Sequence, residues 1–173
     1  MNVSRTARRS GTRGYAHLVE IEAPIARVWR ALTDANLMTI WSGAHAEIDA
    51  RKGGVYRLGR PAAGGREAHI DIFEVNRRLR LIYLNGPGSP PSDSAIVDDF
   101  LLDMRPGETM TSLRLLGSGI PEQEAWNQTY AHCRLSWERW LARIKATLEN
   151  PPRPTKPQAP SPPVDPPLPG LDY

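Results

Sequence analysis

The sequence predicts an α+β fold in which a curved antiparallel sheet of about seven strands wraps one long helix near the C-terminus. Three observations point there. From Pro121 to Glu149, the residues Trp126, Tyr130, Cys133, Trp137, Trp140, Leu141, Ile144 and Leu148 fall inside an arc of about 100° when placed on a helix. Gln128, His132, Arg139 and Arg143 occupy the opposite side. From His45 onward the pattern changes to period two, broken by Gly and Pro. Between these and an N-terminal strand lie two short amphipathic helices. Three of the five Trp sit on the long stripe, so something broad must cover it, and the sheet is the only broad element the chain offers.

The elements follow in order. Tyr15 to Glu22 alternates, with Tyr15, His17, Val19 and Ile21 on one side, as a half-buried strand does. Pro24 suits a first helical position, and Val28, Trp29 and Leu32 give that helix its apolar face. Asp34 can cap a second helix running through Leu37, Met38, Ile40 and Trp41. Strands are expected at His45 to Asp49, Val55 to Gly59, Ala68 to Val75, Arg78 to Leu84, Ala95 to Met104 and Thr109 to Leu116. The Gly-, Pro- and Asn-rich breaks between them are turn sequences. Pro121 is expected at the first position of the long helix and Pro151 just beyond its end, a length of about 42 Å at 1.5 Å per residue. We expect three segments: a basic disordered leader over 1–14, one domain over 15–149 and a disordered proline-rich tail over 150–173.

Charge narrows the function. The chain of 173 residues has a net charge of +3. Four arginines, Arg5, Arg8, Arg9 and Arg13, lie in the leader, whereas residues 15–149 hold sixteen basic and seventeen acidic side chains. The folded part is therefore nearly neutral, and no nucleic acid is expected to bind it. No stretch approaches the ~20 apolar residues of a membrane span, and a single cysteine cannot form an internal disulfide, so a cytoplasmic location is expected.

The run Ile21-Glu22-Ala23-Pro24, then Val28 to Asp34, Trp41 and Arg51-Lys52-Gly53-Gly54-Val55-Tyr56-Arg57, resembles the opening of the Hsp90-ATPase-activator-homologue family, within the START-like (SRPBCC) superfamily of helix-grip domains. Ile72 to Val75 with Arg78-Leu79, Thr111 to Leu113 with Ser118-Gly119, and Trp137 with Leu141 and Ile144 continue the resemblance, which covers about Tyr15 to Leu148. It implies a deep cavity between the sheet and the last helix, used across the superfamily for lipids, hormones, polyketides and aromatic compounds. It also implies contact with a chaperone or a homodimer as alternatives. The eukaryotic activators join this domain to a separate N-terminal one, whereas here a fourteen-residue leader precedes the fold.

Catalytic and metal chemistry find little support in the residues. His69 and Asp71 share a strand side and read best as a solvent-side or cross-strand pair. Asp98 shares its side with Ile96 and Phe100; turned inward, it is either a hydrogen-bond anchor for a ligand or the partner of an arginine. The four histidines show no zinc-binding spacing, Gly53-Gly54 precedes a strand rather than a helix, and Cys133 reads as a buried thiol, so no metal, nucleotide or other cofactor is expected. The aromatic residues remain. Trp41, Tyr56, Tyr83, Trp126 and Tyr130 come from elements that would surround the upper part of such a cavity, with Asp98 as its polar group. Trp137, Trp140, Leu141, Ile144 and Leu148 read as core filling. The expected function is non-catalytic binding of a small apolar or aromatic ligand. A cyclase- or hydrolase-like enzyme using the same cavity, and a chaperone-interaction module, are the alternatives.

Overall fold

The computed structural model describes residues 11–60, 65–84, 94–104, 107 and 109–150. Within them a seven-stranded antiparallel sheet holds one long helix against its inner face, with two short helices after the first strand. The strands are β1 (Thr12–Ile21), β2 (Ala46–Ile48), β3 (Val55–Leu58), β4 (Arg66–Glu74), β5 (Arg78–Tyr83), β6 (Ile96–Asp103) and β7 (Thr111–Pro121), in the order β1-β7-β6-β5-β4-β3-β2. Only the β1–β7 contact joins strands distant in sequence; every other neighbour is reached by the next connection. The core lies between the inner face and the helices, where Ile70, Leu79, Leu81, Phe100, Leu113 and Leu115 are all inaccessible to solvent.

The short helices follow from their caps. In α1 (Ile25–Thr33), Pro24 has φ −60° and stands just before the first turn, one position earlier than expected, while Val28, Trp29 and Leu32 are buried. Asp34 ends α1 and starts α2 (Ala35–Ser42): its carboxylate accepts from the backbone N–H groups of Asn36 and Leu37 at 3.0 and 3.1 Å. Gly43, at φ 70°, then takes the left-handed position that ends α2.

Among the boundaries that differ from expectation, the starts of the long helix and of β1 share one cause. The long helix α3 spans Asn127–Glu149, 23 residues and about 34 Å, and a single 3-10 turn at Glu124–Trp126 precedes it. Pro121 does not open it. Instead residues 117–121 stay extended because Pro121 and Ile120 pair with Thr12 and Arg13 at the start of β1. A proline at a strand end leaves no ladder hydrogen bond unmade in the interior of the sheet. The same pairing puts the start of β1 at Thr12, so the last three residues of the expected leader belong to the fold. Residues 1–10 and the proline-rich 151–173 lie outside the described residues, as do 61–64 and 85–93 of the expected turns.

At its far end α3 is fastened to β1. The Glu149 carboxylate accepts from the backbone N–H of Glu22 at 2.9 Å and from Lys145 at 2.8 Å. These hydrogen bonds, the backbone one first, hold the Glu149 pKa below the ordinary carboxylate range.

Candidate functional site

The inner face carries one charge that solvent never reaches. Asp98 on β6 is 0% exposed, between Ile96 and Phe100 along its strand and between Leu81 and Gly117 on the neighbouring strands. A carboxylate in that position is tolerable only when it is paired and hydrogen-bonded. Asp98 has three donors: Tyr15 Oη donates to Oδ1 at 2.5 Å, and Tyr83 Oη and Trp137 Nε1 each donate to Oδ2 at 2.7 Å. Arg66 adds an opposite charge, with Nη1 3.8 Å from Oδ2.

Each partner arrives for a local reason. Tyr15 reaches Asp98 across β7 because Gly117 lies beneath its ring; a Cβ at 117 would stand 2.3 Å from Tyr15 Cζ. A register shift in β1 between Arg13 and Tyr15 sets the approach. Tyr83 faces Ala68 on one side and Ile96 on the other, and its hydroxyl reaches along β6 to Asp98, two residues beyond Ile96. Arg66, two residues before Ala68, lays its guanidinium 3.8 Å above the centre of the Tyr83 ring. Trp137 is held edge-on by Phe100 and Trp140, each at 4.9 Å, which aims its indole N–H at the carboxylate.

The electrostatics follow from burial. Burial, and then the negative charge of Asp98, push the hydroxyl pKa of Tyr15 and of Tyr56 above the usual tyrosine range. Burial raises Tyr83 as well, the nearby Arg66 opposing it and Asp98 reinforcing it. All three therefore donate as neutral hydroxyls. Burial opposes the charge on Arg66, but its pKa is held above the usual guanidinium range, with the negative charge of Asp98 close by favouring the charged form. The Cys133 thiol on α3 is also raised, chiefly by burial, and is not a ready nucleophile.

Of the residues expected to line the site, Tyr83 and Asp98 touch directly. Tyr56 is 1% exposed on the inner side of β3, opposite Ala68. Trp126 is 2% exposed in the turn that leads into α3. Their Oη and Nε1 atoms are buried and have no hydrogen-bond partner among the described residues. Tyr130 stands at the edge, its ring 6.5 Å from that of Tyr15 and 4.4 Å beneath the Arg13 guanidinium. Trp41 is placed deeper, against Trp137 and Trp140, with its N–H donating to the Ala31 carbonyl at 2.7 Å; it backs Trp137 and does not meet Asp98. His69 and Asp71 do not pair as a site: Asp71 stands 3.8 Å from Arg80.

The profile of the family described as "Activator of Hsp90 ATPase homolog 1-like protein" matches residues 22–149. The chain belongs to that family. Among solved structures, the fold is similar to protein MLL2253 from Mesorhizobium loti, with a TM-score of 0.67 and 21% identity over 79% of this chain and 97% of that one. It is similar to the Aha1 dimer from Colwellia psychrerythraea (TM-score 0.65, 20% identity, 80% and 97% covered) and to PFC0360w, an HSP90 activator from Plasmodium falciparum (TM-score 0.65, 20% identity, 79% and 96% covered). No curated protein matches the chain.

For this activator-homologue domain, sequence reasoning passed over three members of the cluster. Tyr15 read only as one step of an alternating strand. Arg66 fell between the expected turn ending at Gly65 and a strand expected to begin at Ala68, whereas β4 begins at Arg66 itself. Trp137 read as core, although a buried indole N–H needs an acceptor, and that requirement was the available signal. A separate open groove of about 1060 Å³ lies on the outer face, beside Leu18, Leu101, Met110 and Arg114. None of the expected site residues lines it. Its Arg78 is already engaged by Asp99 at 2.9 and 2.7 Å, so we place the site on the inner face.

Proposed function

We propose that this domain encloses a small apolar or aromatic molecule between the inner face and α3, without catalysing a reaction on it. The observation that supports this is the buried polar cluster around Asp98, surrounded by aromatic faces, beside the buried Tyr56 hydroxyl and Trp126 indole N–H, which have no partner among the described residues. A pocket lined by apolar and aromatic surface with a few fixed polar groups is what orients a flat ligand. Asp98 acts as the organiser of those donors. An acid or base role would require free access to its oxygens, and three hydrogen bonds already occupy them. We place the protein in the cytoplasm, in keeping with its single cysteine; among the described residues no helix is long and apolar enough to cross a membrane.

Uptake of anilinonaphthalene sulfonate, followed by its fluorescence, tests the reading. The protein should bind the dye, and Trp126→Ala should weaken binding while costing less than the ~3 to 5 kcal/mol expected of a filled core site such as Trp137→Ala. Absence of dye binding, with equal destabilisation by the two substitutions, would mean a solid core and end the proposal.

A second reading draws on the outer face. Leu18 and Leu116 are 60% and 41% exposed on adjacent strands, and Met110 is 40% exposed. An apolar patch of that kind fits contact with a chaperone or a second copy. Stimulation of a heat-shock protein 90 ATPase by the protein, lost in Leu18→Asp, would favour it.

A further inference from the structure

We infer that the ligand of the inner face carries a carboxylate, received by Arg66, Tyr56 and Trp126. This deepens the ligand-binding reading above and rests on it. The reasoning is an inventory of donors and acceptors. Tyr15, Tyr83 and Trp137 take three of the roughly four acceptor positions of Asp98. The buried polar atoms without a partner among the described residues include Tyr56 Oη, Trp126 Nε1, Arg66 Nη1 and Arg13 Nε. The three nitrogens can only donate, so what the site lacks is an acceptor. A donor buried and unmatched has given up its hydrogen bond to water, which a ligand oxygen would restore.

Charge selects an anion among acceptors. Two guanidiniums, Arg13 and Arg66, reach this end of the inner face, against one buried carboxylate. Arg13 Nη2 donates to Asn127 Oδ1 at 2.7 Å, at the first residue of α3, so the positive end of the helix dipole adds to the same side. The acidic residues nearest in sequence, Glu122 and Glu124, are exposed. One positive charge is left over.

Geometry selects a planar anion. Ala68 faces Tyr56 on β3 and Tyr83 on β5, and Arg66 projects from the same side of β4 two residues earlier. Tyr56 and Arg66 are thus diagonal neighbours, about 7 to 8 Å apart at the backbone and within joint reach of one small group. Stacking on Tyr83 fixes the plane of the guanidinium, and its side chain is only 17% exposed. A guanidinium held flat, with Nη1 buried and without a hydrogen-bond partner among the described residues, suits a planar anion such as a carboxylate. The aromatic body of such a ligand would lie toward Trp126.

Calorimetric titration of the full chain with 2-naphthoate and with its uncharged isostere 2-naphthamide tests the inference. The acid should bind about tenfold or more tightly than the amide, as expected for a charge-assisted pair. Arg66→Gln should abolish that preference while leaving the amide within about twofold. Tyr56→Phe, which keeps the ring and removes only the hydroxyl, should reduce it several-fold and serves if Arg66→Gln does not fold. Equal binding of acid and amide, or an acid preference untouched by Tyr56→Phe, would overturn the carboxylate and leave the ligand-binding reading standing. Binding of neither compound would overturn both.

Discussion

Tyr83 and Tyr56 flank Ala68 on the same face, one on each neighbouring strand, yet their hydroxyls differ in one respect. Tyr83 Oη donates to the Asp98 carboxylate, and Tyr56 Oη has no partner among the described residues. Removing a hydrogen bond to a buried charge costs about 1.5 to 3 kcal/mol, whereas removing an unmatched buried hydroxyl loses no hydrogen bond and relieves its desolvation. We predict that Tyr83→Phe lowers stability by that amount and that Tyr56→Phe leaves it equal or higher in urea denaturation. Equal losses would mean that Tyr56 has an acceptor after all. Alkali should expose the same chemistry. Tyr15, Tyr56 and Tyr83 hold their protons in the fold above their ordinary pKa, so their contribution is complete below about pH 10. Above it the unfolded chain ionises first and binds fewer protons than the native state, and stability falls as pH rises. Absorbance at 295 nm should show three of the five tyrosines ionising only as the protein unfolds; ionisation of all five before unfolding would contradict the burial described. Asp98 was legible in the sequence from its alternation with Ile96 and Phe100. Tyr83 was named for the site beside it, whereas Tyr15 and Trp137 were not, because β1 and α3 reach Asp98 only through strand pairing and helix packing that local pattern does not specify.

Among the elements, β7 carries the tightest constraint. Gly117 lies opposite both Asp98 and Tyr15, and the Tyr15 ring occupies the space a side chain there would need. Gly117→Ala should push Tyr15 off Asp98 and cost about 1 to 3 kcal/mol as an overpacked site. Thermal unfolding of Gly117→Ala beside Tyr15→Phe checks this: if displacement of Tyr15 is the mechanism, the double variant should be less destabilised than the sum of the two. The helices and strands themselves were largely readable from period and turn chemistry, down to the Asp34 cap of α2. The start of α3 was not. Pro121-Glu122 looks like a helix opening in isolation, and only the pairing of residues 117–121 with β1 makes it a strand end. Trp126 consequently sits in a 3-10 turn rather than within the helix, and its indole N–H is left facing the interior.

For the whole molecule, β1 pairs with β7 at one edge of the open sheet, and α3 is tied to β1 near both of its ends. Arg13 meets Asn127 at one end, and Glu22 meets Glu149 at the other. The folding unit we propose is therefore 11–150, with Gly11 retained because its carbonyl accepts from the Glu122 N–H at 3.0 Å. A chain cut to those residues should melt within a few degrees of the full protein, and cutting on to Tyr15 should lower the melting temperature markedly. A large drop from the first cut would place stabilising contacts in the outer segments. The fold class was readable because amphipathic period is a property of each segment, while the site was readable only in part because it is a property of the assembled sheet. The central claim is that a ligand enters between the inner face and α3. Two-dimensional NMR of the five indole N–H signals during titration with 2-naphthoate tests it most directly. The account predicts that the Trp126 and Trp137 signals move first and that Trp29, packed on Phe73, stays in place. Shifts confined to the backbone amides of Leu18, Leu101 and Arg114, with every indole signal fixed, would put the ligand on the outer face and contradict it.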